Sequence, residues 1–252
     1  MVATGLVLAA GSASGQLAIR VAEVEDGTVR FAYATHPDVE ICDHGIRMGE
    51  RHMWRNNGGD YEDRNCREGE AEVELEVRDG LVRDVEIVRS ARDRDATAVD
   101  LGEVLPEEAR AYFLSLPYRG ATSDGAEEAI FAAMLADVDD AWQELLDIAK
   151  DRSLDEDVRK NTLFWLGQAA ADSATEGLAG VALDGDEDQE IRNSAIFALS
   201  QRSDDEAVPA LMDVARNGDQ AETRRTAMFW LAQSEDERVV AFFEEILLRR
   251  IR

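Results

Sequence analysis

The amino-acid sequence predicts a two-part α+β chain, in which a small β-rich domain precedes an α-solenoid of about four helical hairpins. Two observations carry this prediction: apolar residues alternate with polar ones in the first half, and a self-similar block recurs at offsets of 33 and 32 residues in the second. The predicted divisions are a signal-peptide remnant (1–15), a β-rich domain with a cysteine-bracketed loop (16–99), a linker helix (100–122) and the repeats (123–252).

The composition narrows the classes of partner. The chain has 252 residues, with 54 Asp and Glu against 27 Lys and Arg, which gives a formal net charge of -27. A surface this acidic repels nucleic acid and anionic lipid, because phosphate binding depends on Lys and Arg. A hydrophobic fraction of 45% still provides a core. We therefore expect a globular protein whose partner is an unidentified protein, basic or neutral, and not nucleic acid.

The first fifteen residues are typical of the end of a signal peptide. A short apolar run from Leu6 to Ala10 is followed by small residues, with Ala13 and Gly15 spaced as at a signal-peptidase site. No Lys or Arg precedes Arg20, so the basic segment of a signal peptide is missing. The pattern predicts an exported, periplasmic protein without membrane insertion, and the alternative is a cytoplasmic protein with an irregular N-terminus.

Two hairpins are predicted in the β-rich domain. In the first, Leu17, Ile19 and Val21 alternate with polar or small residues, and a second strand follows at residues 29–33. The second hairpin spans residues 71–90 and turns at Asp79 and Gly80. A single helix is predicted in the linker at residues 106–116, where it would pack against the first repeat.

The irregular segment 36–70 contains both cysteines and all three histidines of the chain. A disulfide between Cys42 and Cys66 would hold this long loop in an oxidising compartment. Two buried free thiols and a zinc or copper site remain as alternatives. The residues of the metal alternative are His36, Cys42, His44, His52 and Cys66. Because no compact ligand spacing is present, we predict the disulfide and no metal.

The repeated block is clearest at residues 158–168, 191–201 and 223–233, and a degenerate copy stands at 129–134. A second helical stretch follows each block, so that each unit is a pair of helices. The stretches are 140–150, 174–183, 206–217 and 238–249. The last one ends in arginines, which favour a helix C-terminus, and we interpret it as a C-terminal cap of the array.

The blocks resemble the second helix of HEAT repeats, in particular the short HEAT-like repeats of bacterial phycobilisome lyases. The matching residues are Asp157-Val158-Arg159, Thr162 and Trp165-Leu166-Gly167, and Glu190-Ile191-Arg192, Ala195 and Ala198-Leu199. The layout also resembles uncharacterised exported HEAT-repeat proteins of environmental bacteria. The resemblance covers roughly residues 123–252 and implies a HEAT-like solenoid that serves as a protein-interaction or scaffold module of the bacterial envelope.

Within the repeats, three Phe and three Gln form the candidate partner-binding face. Phe lies away from the main apolar stripe of the helix, and Gln follows four residues later on the same side as Phe. One interpretation places this ladder on the concave face of the solenoid, and the other packs Phe between repeats. The candidate residues are Phe164, Gln168, Phe197, Gln201, Phe229 and Gln233.

The repeated Arg159, Arg192 and Arg224 are expected to bond a turn or an acidic residue of the neighbouring repeat, with a ligand-gripping role as the alternative. The acidic stretch 184–190 lacks the glycine and glutamate of a calcium loop and is interpreted as a solvated turn.

Neither half carries a recognisable catalytic motif, so we predict no enzyme, no catalytic residues and no cofactor. The alternative function is a metal-binding or chromophore-handling, lyase-like protein that uses the loop or the groove of the repeats.

Overall fold

The structure is a computed structural model, and it describes residues 14–43, 45–48, 65–138, 141–169 and 171–249. The chain forms two compact units, Met1–Val138 and Asp139–Arg252. The first holds the described strands and the second is helical, which confirms the predicted fold class. Most of the predicted signal-peptide remnant, residues 1–13, lies outside the described residues.

The first unit is built on a four-stranded sheet, whose strands are β1 Gly27–Ala34, β5 Glu70–Arg78, β6 Leu81–Ile87 and β7 Val99–Val104. The strand order is β6-β5-β1-β7. Strand β5 pairs antiparallel with both β1 and β6, whereas β7 runs parallel to β1. The predicted second hairpin is confirmed as β5–β6. Asp79 and Gly80 both have positive φ (53° and 70°), as the tight turn of such a hairpin requires.

The predicted first strand is wrong, because Leu17, Ile19 and Val21 lie in helix α1, Ser14–Ala22. Leu17 and Val21 are buried and Ile19 is exposed, so the buried positions are four residues apart, as on one face of a helix. Over so short a stretch, three alternating apolar residues fit both the two-residue period of a strand and the 3.6-residue period of a helix. The helix packs against α2, Pro106–Ser115, where the Leu17 amide donates to the Glu108 carboxylate over 2.6 Å.

A second sheet of three short strands, in the order β3-β2-β4, joins the two cysteines. Its strands are β2 Val39–Cys42, β3 Gly45–Met48 and β4 Cys66–Glu68. Cys42 and Cys66 face each other in the β2–β4 pairing and form a disulfide, with their Cα atoms 4.0 Å apart. The disulfide prediction is therefore confirmed for the pairing.

The core of the first unit is aromatic. Phe113 of α2 lies with its ring centroid 5.6 Å from those of Phe31 and Tyr33 on β1. The Tyr33 hydroxyl donates to the Ala132 carbonyl of α3, Ser123–Leu135, over 2.7 Å. The predicted linker helix corresponds to α2, which is followed by a 3₁₀ turn at Leu116–Arg119.

Helix α3 contains the degenerate first copy of the repeated block, yet it lies in the first unit. It packs against α2 and β6, where a Cβ on Gly125 would collide with the Arg83 carbonyl oxygen. Glycine therefore permits this close approach of the helix to the strand. The repeats are predicted to begin at residue 123, whereas the division between the compact units follows Val138.

The second unit consists of stacked helical hairpins. Its helices are α4 Trp142–Lys150, α5 Glu156–Gln168, α6 Asp172–Leu183, α7 Gln189–Ser200, α8 Asp204–Asn217, α9 Ala221–Leu231 and α10 Glu237–Arg249. Each repeated block packs mainly against the helix that precedes it, α5 on α4, α7 on α6 and α9 on α8, whereas the sequence predicts a pairing with the helix that follows. We therefore call α4, α6, α8 and α10 the first helices and α5, α7 and α9 the second helices, and each set packs in its own row.

Neighbouring second helices approach each other closely where α5 meets α7. Leu166 and Leu199 are fully buried at equivalent positions of α5 and α7. A Cβ on Gly167 would lie 2.9 Å from the Ala198 carbonyl oxygen, so glycine is required where α5 meets α7. At the start of α5, the Asp155 carboxylate caps the helix by accepting from the Asp157 amide over 2.9 Å.

Candidate functional site

The repeated arginines are structural, and they hold the turns between the two helices of each hairpin. Arg159 is buried and donates from Nε to the Ala149 carbonyl over 2.9 Å. Arg192 donates to the carbonyls of Asp184 (3.1 Å) and Glu187. Arg224 donates to the Gly218 and Asp219 carbonyls over 2.6 and 2.9 Å. The interpretation as turn-bonding residues is therefore confirmed for all three.

Arg159 also joins neighbouring hairpins. Its Nη2 donates to Oε2 of Glu187 over 2.6 Å, and both side chains are almost fully buried. Burial acts to raise the pKa of Glu187, but the Arg159 hydrogen bond, the Asp188 amide and the charges of Arg159 and Arg152 outweigh it, so that the pKa is lowered. Glu187 is thus held as a carboxylate at the junction.

The acidic turn before α7 is partly structural. Asp184 accepts from the Asp186 amide over 3.0 Å and from Arg152 over 3.0 Å. Asp184 and Asp186 are exposed, whereas Glu187 is buried against Arg159. The interpretation as a solvated turn holds for the two aspartates but misses Glu187, whose partner lies in another hairpin.

The three Phe of the predicted ladder occupy equivalent places on the second helices. Phe164 and Phe197 are half-buried, and Phe229 is 55% exposed. Phe197 packs across the repeats on Trp230, with ring centroids 5.2 Å apart. The two proposed roles therefore coexist: Phe197 makes contact between repeats, while each ring of the ladder keeps an accessible part.

The three Gln, like the three Phe, are more exposed in the last repeat than in the first. Gln168 is half-buried, and Gln201 and Gln233 are exposed. The Gln201 amide donates to the Ser200 hydroxyl over 3.2 Å. Together with the Phe residues they form a continuous face of the second-helix row, which we call the second-helix face (Phe164, Gln168, Phe197, Gln201, Phe229 and Gln233).

Charged residues border this face toward the N-termini of the helices. The Lys160 ammonium lies 2.6 Å from the Asp157 carboxylate and 3.3 Å from the Glu156 carboxylate. Its hydrogen bond to Asp157 is the main cause that raises the pKa of Lys160. Arg225 pairs with Glu222 in the same manner on α9. Acidic residues of all three helices share this border, which consists of Asp157, Glu190 and Glu222.

Two polar contacts at the repeat junctions were missed by the sequence analysis. Asn193 accepts from the Thr226 hydroxyl of the next repeat over 3.1 Å. Arg202 donates to the carbonyls of Ala169 (2.8 Å) and Ala171 (3.0 Å) and thereby ties the α5–α6 loop to α7. Asn193 and Thr226 are 33 residues apart, the length of one repeat, so the repeat length is compatible with this contact. Arg202 occurs in one copy only, and therefore no repeated pattern indicates its role.

In the described part of the cysteine loop, the two cysteines of the metal alternative are bonded to each other. Neither Cys42 nor Cys66 therefore offers a thiolate, although Glu40 lies beside them. His36 lies 3.5 Å from Asp137. His44 and His52 lie outside the described residues.

The other charged cluster of the first unit is an internal network on the sheet. Arg30 donates to Glu74 over 2.8 Å and also bonds the Asp95 carbonyl, which fixes the β6–β7 loop. Hydrogen bonds from the Thr28 hydroxyl and then from Thr97 lower the pKa of Asp95 to about 2. These groups are engaged with one another, as structural ion pairs are.

The fold and the second-helix face define the class of the second unit, an α-solenoid with a repeated aromatic and polar surface. The family model for HEAT repeats matches residues 142–232 and 181–250, so this part of the chain is similar to HEAT repeats and its helices form a HEAT-like solenoid. HEAT repeats generally mediate protein–protein interaction or scaffolding. A comparison with curated proteins found no match. None of the described helices is long and apolar enough to cross a membrane.

Proposed function

We propose that the protein is a non-enzymatic interaction or scaffold module that binds a partner protein on the second-helix face. The observation that carries this proposal is the aromatic ladder, in which Phe164 and Phe197 are half-buried and Phe229 is exposed. Phe229 leaves 55% of its surface in water although it belongs to the same repeated column as the half-buried Phe197. Exposed aromatic side chains at regular intervals favour protein recognition, because each buries a large area at a small entropic cost.

The border of the face indicates the chemistry of the partner. Asp157, Glu190 and Glu222 line one side, where Lys160 pairs with Asp157 and Arg225 with Glu222, and the whole chain carries a net charge of -27. A basic or neutral partner would approach without repulsion, and a basic one would be attracted at low ionic strength. The rings of Phe164, Phe197 and Phe229 are suited to apolar or cationic side chains.

The disulfide supports a place outside the cytoplasm. Disulfides persist in oxidising compartments such as the bacterial periplasm, and Cys42–Cys66 is formed. We therefore propose an exported protein of the bacterial envelope.

Site-specific photo-crosslinking tests the proposed face. A photoreactive phenylalanine analogue would replace Phe229 in the full chain, with a second sample at Phe164. The matched control is Leu105, which is 62% exposed in the first unit. In native envelope extract we expect both face positions to give the same discrete crosslinked protein and Leu105 to give none. Equal crosslinking at Leu105, or different products at the two Phe positions, would refute the proposal.

The charge of the partner is tested with the same reagent. If attraction to the acidic border contributes, the crosslinked yield at Phe229 should fall as salt rises. Substituting Glu222→Gln should weaken this salt dependence, whereas Glu107→Gln, in α2 of the first unit, should leave it unchanged.

A further inference from the structure

The disulfide between Cys42 and Cys66 is open to solvent from one of its two cysteines. Cys42 lies in β2, the central strand of the three-stranded sheet, and is fully buried. Cys66 begins β4, an edge strand of that sheet, and is exposed. In thiol–disulfide exchange a thiolate must reach one sulfur of the bond, so access decides which sulfur is attacked. An attacking thiolate therefore meets Cys66, and Cys42 is the leaving group.

The strands that this disulfide joins carry like charges opposite each other. Glu40 and Glu68 face each other in the β2–β4 register, two positions from the cysteines and thus on the same face of the sheet. Like charges directly opposite destabilise a strand pair. Glu40 also pairs with Arg47 of β3 over 3.1 Å, whereas the described residues offer Glu68 no cationic partner.

The residue between these two positions does not hold β4 to β2 either. Arg67 donates to the Val88 carbonyl, and its guanidinium lies 3.8 Å from the Glu72 carboxylate. Both partners belong to the part of the first unit that follows β4. Among the described residues, the disulfide and the short backbone pairing are therefore what join β4 to β2.

We propose that Cys42–Cys66 is a redox switch, which the dithiol of a partner reductase opens by attack on Cys66, and that its opening frees β4 from β2. Exposed disulfides are the ones that exchange readily with thiols, whereas enclosed ones resist reduction. This site lies in the first unit and does not depend on the second-helix face.

The exchange consists of two displacement steps. A thiolate of the dithiol attacks Sγ of Cys66. A bond forms between these two sulfurs, the bond to Cys42 breaks, and Cys42 leaves and takes up a proton. The second thiol of the reductase, as its thiolate, then attacks its own partner sulfur and expels Cys66, which also takes up a proton. The chain gains the two electrons and two protons that the dithiol loses when it becomes a disulfide.

The register favours a dithiol over a single thiol. In the mixed disulfide Cys42 still stands opposite Cys66, so it can attack back and expel a monothiol before β4 leaves β2. The second thiol of a dithiol is equally close to the new bond and competes with this return. A reductant of this class therefore completes the reaction that a monothiol begins.

A trapping reductase tests the point of attack. The full chain would be mixed under native conditions with a thioredoxin whose second active-site cysteine is replaced by serine, and free thiols would then be blocked with N-ethylmaleimide. We expect peptide mass spectrometry to find the mixed disulfide at Cys66 and N-ethylmaleimide on Cys42. A mixed disulfide at Cys42, an even division between the two, or no complex overturns the proposal.

The rate of reduction tests whether the native chain is the species attacked. With dithiothreitol, the rate for the wild-type chain should rise in proportion to the reductant concentration. A rate that levels off at high concentration would show that the bond is reached only after the chain unfolds locally, which also overturns the proposal.

Two matched variants test the release of β4. Glu68→Gln removes the like charge opposite Glu40, so in a glutathione redox buffer the disulfide should be about two- to fivefold harder to open. Glu70→Gln removes the same charge from an exposed residue opposite Ala34 and should leave this equilibrium unchanged. In the reduced wild-type chain, which needs no variant to fold, amide exchange should increase more in β4 than in β5. Equal shifts in the two variants, or no greater increase in β4, would refute the release.

Discussion

Arg159 and Glu187 form a buried ion pair that links two successive hairpins, with Nη2 and Oε2 2.6 Å apart. The same guanidinium bonds the Ala149 carbonyl at the end of α4, so one side chain closes its own hairpin and fastens the next. The equivalent Arg224 bonds carbonyls of its preceding turn and is more exposed.

Substitution of Arg159 should therefore destabilise the helical unit more than the same substitution of Arg224. Arg159→Met leaves the buried Glu187 with only the more distant Arg152, at 3.5 Å, as a charged partner, so we expect a cost of about 3 kcal/mol, the lower end for a broken buried pair. Arg224→Met removes carbonyl contacts only and should cost about 1–2 kcal/mol. Urea unfolding of the two variants measures the difference. Equal losses would show that the ion pair adds nothing beyond the turn bonds.

The stabilisation from Glu187 should depend on pH. The pKa of Glu187 is lowered in the folded chain, so its contribution is present above the pKa of an unfolded glutamate, about 4.5. It is lost as the pH falls through the lower folded value. The free-energy difference between the wild type and Glu187→Gln should accordingly be constant near neutral pH and shrink below about pH 4.5. A difference that grows on acidification would contradict the lowered pKa.

The sequence was sufficient to predict the repeat array because its signal is redundant. Positions equivalent to Leu166 and Leu199 recur in each copy, and the helices follow the predicted ranges closely. The role of the repeated Arg159, Arg192 and Arg224 could also be predicted, because the same residue at the same place in successive repeats indicates a structural role that each repeat needs. Features that occur once, such as Arg202 and Glu187, had no such support.

The first unit shows why short patterns fail. Leu17, Ile19 and Val21 fit a strand by alternation and a helix by the spacing of Leu17 and Val21, and the contact with α2 decided between them. The sequence predicted the residues of the second-helix face, but not that their exposure differs from one repeat to the next. Exposure of Phe229 against partial burial of Phe197 depends on Trp230, which no periodicity alone could assign.

Two helical glycines should respond oppositely to alanine. In Gly167→Ala the new Cβ would lie 2.9 Å from the Ala198 carbonyl oxygen, so the backbones of α5 and α7 must separate, at a cost of about 1–3 kcal/mol. Gly180 lies within exposed α6 surface and a Cβ there meets open space. Gly180→Ala should stabilise by about 0.5–1 kcal/mol through helix propensity. Thermal and urea unfolding would reveal both signs, and a stabilising Gly167→Ala would refute the close approach.

Glu86 on β6 should be destabilising at neutral pH. Burial, followed by the charge of Glu74 opposite it in the sheet, raises the pKa of Glu86. Since the folded pKa is the higher one, the ionised carboxylate weakens the fold above that value, and the penalty disappears as the pH falls below the unfolded value. Glu86→Gln should therefore raise stability at pH 7 by less than about 1 kcal/mol and have little effect near pH 3. Glu103→Gln on β7 is the control, and an equal gain there would assign the effect to net charge alone.

Reduction of the disulfide should weaken the first unit and leave the helical unit unchanged. Cys42 and Cys66 are separated by 24 residues, and closing such a loop stabilises by about 3 kcal/mol through the entropy of the unfolded chain. Intact mass with and without reductant tests the bond itself, and a C42S/C66S variant avoids a reductant in unfolding experiments. Hydrogen exchange followed by peptide mapping should show faster exchange in β1 and β5, with α5 and α7 unaltered. Faster exchange in α7 would mean that the two units do not unfold independently.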